Sequence, residues 1–182
     1  MEKVKKVIRE VFSTILYILV VLLVTWLFIT FVGQRTSVSG SSMEPTLHNG
    51  DQLIMDKLSY RFADPQRFDI IVFPFQYEEN TYYVKRIIGL PGETVQIDLE
   101  GNIYINGEIL EEDYGKEPIN FPGLASEPIT LGDDEYFVLG DNRNNSSDSR
   151  DPSVGNIHRD DIIGKAWIRI WPLNKIGVLK HQ

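Results

Sequence analysis

The chain has 182 residues, 42% of them hydrophobic, no cysteine, and a formal net charge of -8 at pH 7. That length suits one domain with a sizeable core plus an appendage. The missing cysteines exclude disulfides, thiol catalysis and cysteine-ligated zinc, and the acidic balance argues against a broad basic surface for nucleic acid.

The N-terminal stretch MEKVKKVIRE sets Lys3, Lys5, Lys6 and Arg9 against Glu2 and Glu10. From Val11 to Val32 no charged residue occurs, which matches the ~20 apolar residues needed to cross a bilayer. Ser13, Thr14, Thr25 and Thr30 interrupt the run, and a helical hydroxyl can bond back to the preceding turn. Positive charge on a short flank keeps that flank cytoplasmic. The expected organisation is a cytoplasmic tail over 1–10, a transmembrane signal-anchor helix over 11–33, and an extracytoplasmic domain over 34–182. A cleaved signal peptide is the competing reading. Its apolar core runs to only ~7–15 residues, and Gln34 and Arg35 make a poor cleavage site.

Beyond the span stand 14 of the 18 basic and 24 of the 26 acidic residues. Short runs rich in β-branched and aromatic residues, punctuated by Gly, Pro, Asn and Asp, predict strands within 51–58, 68–75, 80–90, 134–142 and 164–172. In TVQIDLEGNIYING (94–107), Val95, Ile97 and Leu99 alternate with polar residues before EGN, and Ile103 and Ile105 resume the alternation, as in a hairpin. The segment from Leu110 to Leu131 holds three prolines and two glycines and reads as a loop running over the sheet surface. No amphipathic helix follows Gly33. The expected fold is mainly β: an antiparallel, partly closed, barrel-like domain after one transmembrane helix.

Just past the span, SVSGSSMEPTLHNGD (37–51) gathers four serines and His48 around Gly40 and Pro45. Pro45 restricts Glu44, and Gly40 permits backbone geometry other residues resist. Loop serines usually just cap turns or face solvent, so the segment by itself singles out no hydroxyl. His48, His158 and His181 offer weak support for a Ser-His-Asp arrangement. Lysine is the other candidate base. Lys85 sits inside the apolar run YYVKRIIGL, on one strand face with Tyr83 and Ile87, while Arg86 points to the other. Burial lowers a lysine pKa. A fall from ~10.4 to about 8 costs roughly 3 kcal/mol and raises the neutral fraction at pH 7 from below ~0.1% to about 10%. A neutral amine can then take a serine proton. The plainer reading of Lys85 is an edge-strand lysine that blocks aggregation.

Three stretches together, SGSSMEPTL (39–47), YYVKRIIGLPGE (82–93) and GDNRNNSSDSR (140–150), with RFDIIVF (67–73) as a fourth, resemble type I signal peptidases. These are the membrane-anchored Ser/Lys proteases that remove signal peptides from exported proteins. The resemblance implies a nucleophile at Ser42 and a general base at Lys85. It also implies a lysine-orienting hydroxyl at Ser146, and a supporting polar network of Asp141, Arg143, Asp148, Arg150 and Arg86. Gly40 stands where some relatives have a serine, so the oxyanion is expected to rest on the Ser42 N–H with a donor near Gly40. Met43, Leu47, Tyr83 and Val84 match positions lining shallow pockets for small residues, as in Ala-x-Ala sites. The implied partners are signal-peptide-bearing preproteins and the lipid bilayer, with no nucleic acid, no metal, no cofactor and a monomeric state. A calcium loop at 141–150 fails because Arg143 takes the third position and no glycine the sixth. A non-catalytic β binding module and a self-cleaving repressor-type Ser/Lys protease are the alternatives.

Overall fold

A computed structural model describes the backbone of residues 2–31 and 33–179. Among these residues one α-helix, α1 (Glu2–Phe31), precedes twelve strands. Within it, Lys3–Leu27 is long and apolar enough to cross a membrane, with mean hydropathy 2.3 and none of the span buried. The helix starts earlier than the apolar run. At ~1.5 Å per residue its 30 residues reach about 45 Å, so the basic flank continues the same cylinder, and Thr14 Oγ1 donates back to the Glu10 carbonyl. Gly33, expected at the end of the span, already belongs to a strand.

The strands are β1 (Gly33–Ser37), β2 (Gln52–Asp56), β3 (Ile70–Pro74), β4 (Tyr82–Gly89), β5 (Thr94–Ile97), β6 (Ile103–Ile105), β7 (Glu108–Ile109), β8 (Ile129–Thr130), β9 (Glu135–Leu139), β10 (Ile157–His158), β11 (Gly164–Trp171) and β12 (Gly177–Val178). Each predicted strand region contains one of these, or two in the 94–107 hairpin. All pairings among the described residues are antiparallel. The larger sheet runs β1-β2-β11-β3-β4-β9-β10, with β12 on β11, and the smaller runs β7-β6-β5-β8. Neither hydrogen-bonded ladder closes on itself, so the mainly β expectation holds as two open sheets without a closed barrel.

Alternation on the central strands divides the core. Ile87 of β4 with Tyr136 and Val138 of β9 joins one buried cluster; Ile88 with Phe137 and Leu139 joins the next, which also holds Val95, Ile97 and Ile103 of the smaller sheet. One sequence expectation changes here and another is sharpened. Leu99 is 90% exposed, because Asp98 ends the strand: its Oδ1 accepts from the Glu100 and Asn102 amides and turns the chain. The 110–131 segment does run largely over the surface, but it is anchored: Ile119, Ala125 and Leu131 are buried in the second cluster. They recur at every sixth residue with Pro122 and Pro128 between them, so neither a helical stripe nor a continuous strand alternation announced them.

Candidate active site

A third cluster, Val38, Met43, Leu47, Leu53, Ile70, Ala166 and Leu179, lies under the serine segment. Met43 and Leu47 are four residues apart, and the Leu47 amide donates to the Met43 carbonyl at 2.8 Å. The turn is therefore pinned by two apolar side chains at 2% and 0% exposure. Leu47 belongs to this core and does not reach the groove, which corrects its expected pocket role: one turn beyond Met43, it points inward. Gly40 has φ +96, a left-handed geometry that suits glycine, and its N–H donates to Asn49 Oδ1 at 3.0 Å. Ser42 is left at the surface of the turn, partly buried.

β4 lies between β3 and β9, so Lys85 is on a central strand. An aggregation-blocking role needs an edge, and the position rules it out. Lys85 is 3% exposed. Its Nζ is 2.9 Å from Ser42 Oγ, 3.2 Å from the Val84 carbonyl and 4.8 Å from the Tyr83 ring centre. Burial pulls its pKa down from 10.5 to about 8, while the Asp148 and Asp141 carboxylates pull weakly upward. The ammonium donates to Ser42 Oγ; once neutral, the amine can accept the hydroxyl proton instead. Around the pair runs a groove of about 560 Å³, lined among others by Met43, Tyr83, Val84 and the β1 residues Thr36 and Ser37.

Behind the pair lies a polar layer. Arg86 and Asp141 are both fully buried and form a two-pronged ion pair, Nε to Oδ1 at 2.9 Å and Nη2 to Oδ2 at 2.7 Å. Thr46 Oγ1 donates to Asp141 Oδ2 at 2.5 Å. The Asn142 amide donates to the Ser42 carbonyl at 3.0 Å, and Asn142 Nδ2 to the Ser41 carbonyl at 3.0 Å. Arg150 grips Asp148 at 2.8 and 2.9 Å, and Asp148 Oδ2 accepts the Gly140 amide at 3.0 Å. Arg143 donates to the Gly140 carbonyl at 3.1 Å and to Glu112 at 2.7 Å. Arg86, Asp141, Arg143, Asp148 and Arg150 thus lie together behind the pair. Ser146 does not join Lys85: its Oγ is buried without a hydrogen-bond partner.

Among the described residues, no histidine bonds to Ser42. His48 Nδ1 is buried without a partner, and His158 pairs with Asp134 at 3.2 Å on an exposed surface. His181 lies outside the described residues. Among the described residues, no three acidic or histidine side chains are arranged to hold a metal. The sequence reading missed Thr46, Asn142, Glu112 and Tyr114. Thr46 and Asn142 lie inside the quoted stretches but carry no pattern of their own.

Gly140 is where the Ser42 turn and the 141–150 segment meet. A Cβ there would stand 2.2 Å from Ser146 Oγ and 2.5 Å from the Ser42 carbonyl oxygen, and the latter is backbone that cannot swing aside. Gly140→Ala should therefore displace Ser42 and lower kcat by roughly a hundredfold, at a stability cost of about 1–3 kcal/mol. Steady-state kinetics and thermal unfolding of the variant check both.

The family described as "Signal peptidase, peptidase S26" matches residues 9–171. A "Probable signal peptidase I-2" from Synechocystis is 43% identical over 155 residues, 82% of this chain and 68% of the relative. "Signal peptidase I P" from Bacillus subtilis subsp. natto is 37% identical over 183 residues, 96% of this chain and 97% of the relative. A crystal structure of a signal peptidase I from Enterococcus faecalis V583 is 38% identical, covering 57% of this chain and 97% of that one, with TM-score 0.48. The sequence matches define a serine peptidase, a hydrolase. The chain belongs to the signal peptidase family, membrane-associated enzymes whose substrates are preproteins, and its one apolar N-terminal helix fits that anchoring.

Proposed function

We propose that Ser42 and Lys85 form the dyad that hydrolyses the signal peptide bond after a small residue, through an acyl-enzyme. The observation that carries this is the 2.9 Å contact between Lys85 Nζ and Ser42 Oγ, made by a lysine whose pKa burial brings down to about 8. Neutral Lys85 takes the hydroxyl proton as Oγ attacks the carbonyl carbon. The developing oxyanion faces the Ser42 N–H, which has no acceptor among the described residues. Collapse breaks the C–N bond, and the lysine proton goes to the leaving amine of the mature chain. A water then gives its proton to Lys85, attacks the ester and frees the signal peptide as a carboxylate, while Oγ recovers the proton.

Met43, Tyr83 and Val84 in the groove wall suit small side chains of the Ala-x-Ala kind. Among the described residues β1 pairs with β2 alone, so its outer edge can hydrogen-bond an extended substrate. The tail at 1–10 is assigned to the cytoplasm, the apolar run that follows it to the bilayer, and the strands from β1 onward to the far side, following the basic flank.

The test is cleavage of an Ala-x-Ala precursor by full-length enzyme in detergent. Ser42→Ala should leave no turnover above background; a variant that still cuts removes the proposal. The rate should rise with pH through about 8, since the deprotonated lysine is the reactive form. A midpoint near ~6.5 would assign the base to histidine instead.

A further inference from the structure

Five residues of the 110–131 loop, EDYGK at 112–116, lie across the polar layer behind the dyad. Glu112 Oε1 takes the Arg143 guanidinium at 2.7 Å, with both side chains largely buried. The Lys116 amide donates to the Asp141 carbonyl at 2.8 Å. Between them, the Tyr114 ring centre is 3.6 Å from Arg86 Cζ and 5.2 Å from the Phe68 ring. Phe68 stands at φ 71, a left-handed geometry that costs a phenylalanine about 1–3 kcal/mol. That geometry is held from two sides: its carbonyl accepts Arg86 Nη1 at 2.9 Å, and its ring meets Tyr114.

The geometry points to Tyr114 as a positioning residue for hydrolysis. Its π face covers the Arg86 guanidinium and holds the Arg86–Asp141 pair dry and fixed, so that Thr46 and Asn142 keep the Ser42 turn in register with Lys85. An aromatic face suits this place because the guanidinium is already satisfied in its plane by Asp141 and the Phe68 carbonyl. Its flat side is left open by these bonds, and a ring attracts that side without competing for the N–H groups. The chain of contacts is continuous: Tyr114 to Arg86, Arg86 to Asp141, Asp141 to Thr46, and the next residue, Asn142, to the Ser42 carbonyl. Tyr114 does not line the groove, so substrate binding is spared.

The proposal rests on the Ser42 and Lys85 reading above. Its test compares Tyr114→Phe and Tyr114→Leu in the full-length enzyme with the same precursor. Phe retains the π face and should stay within about twofold of the parent, whereas Leu removes it and should lower kcat roughly tenfold with KM within about twofold. Phe falling as far as Leu, Leu matching the parent, or a change carried by KM overturns the role. A series of progressively fluorinated phenylalanines at 114 keeps the ring volume and weakens the π face, and it decides the matter if Leu fails to fold. kcat should fall stepwise with fluorine count, and a flat series refutes the proposal. Ser42→Ala in parallel separates the two ideas. A dead Ser42→Ala with an indifferent position 114 sinks only Tyr114, while an active Ser42→Ala sinks the dyad itself.

Discussion

Replacing Lys85 by Met should abolish turnover and at the same time make the folded protein more stable at neutral pH. With Lys85 as the proposed base, its loss is expected to cost about a hundredfold to ten-thousandfold in kcat. The stability gain follows from linkage. Lys85 is 3% exposed and its pKa falls from 10.5 unfolded to about 8 folded. Between those values the unfolded chain holds a proton that the folded one has released, so wild-type stability rises with pH across that window. Below about 8 the wild type carries the full burden of a charged amine in a dry place, roughly 3 kcal/mol. Met, of similar length and uncharged, removes it. The variant's advantage should be largest at pH 7, shrink from about 8 upward and vanish above 10.5. Denaturant unfolding at pH 7, 9 and 10.5 reads the trend; a constant difference, or a variant less stable at pH 7, contradicts a buried lysine of low pKa.

Asp141→Leu should be the most destabilising single change in the polar layer. Arg86 and Asp141 are each at 0% side-chain exposure, and removing one partner of such a pair leaves an uncompensated buried charge, worth about 3–5 kcal/mol. It also frees Thr46, whose hydroxyl ends on Asp141 Oδ2, so the Ser42 turn loosens. Adding Arg86→Met to Asp141→Leu should restore much of the stability, because the stranded guanidinium is gone, yet leave kcat depressed because Thr46 still lacks its acceptor. Unfolding curves and kinetics on the single and double variants test this. Stability and activity recovering together would mean the pair serves only the fold.

These expectations depend on how residues far apart in the chain meet, and the sequence carried part of that. The apolar run ahead of Gly33 is legible because a bilayer demands about 20 such residues in succession. The strands are legible because alternation is a local property, and it puts Lys85 and Arg86 on opposite faces of β4. The 112–116 strap was not legible. It acts through a backbone amide, one carboxylate and one ring on three different partners, and such contacts leave no period.

The sequence by itself determined the anchor-like helix, the mainly β antiparallel fold, and the stretches that place the chain in its family, because each is written in neighbouring residues. Tertiary structure alone decided which side chains meet. It put Leu47 in the core instead of the groove, left Ser146 Oγ without the lysine, and seated Tyr114 on Arg86. It also desolvated the Lys85 amine: β3 and β9 flank its strand and the Ser42 turn covers its Nζ, and desolvation depends on what surrounds a group in space.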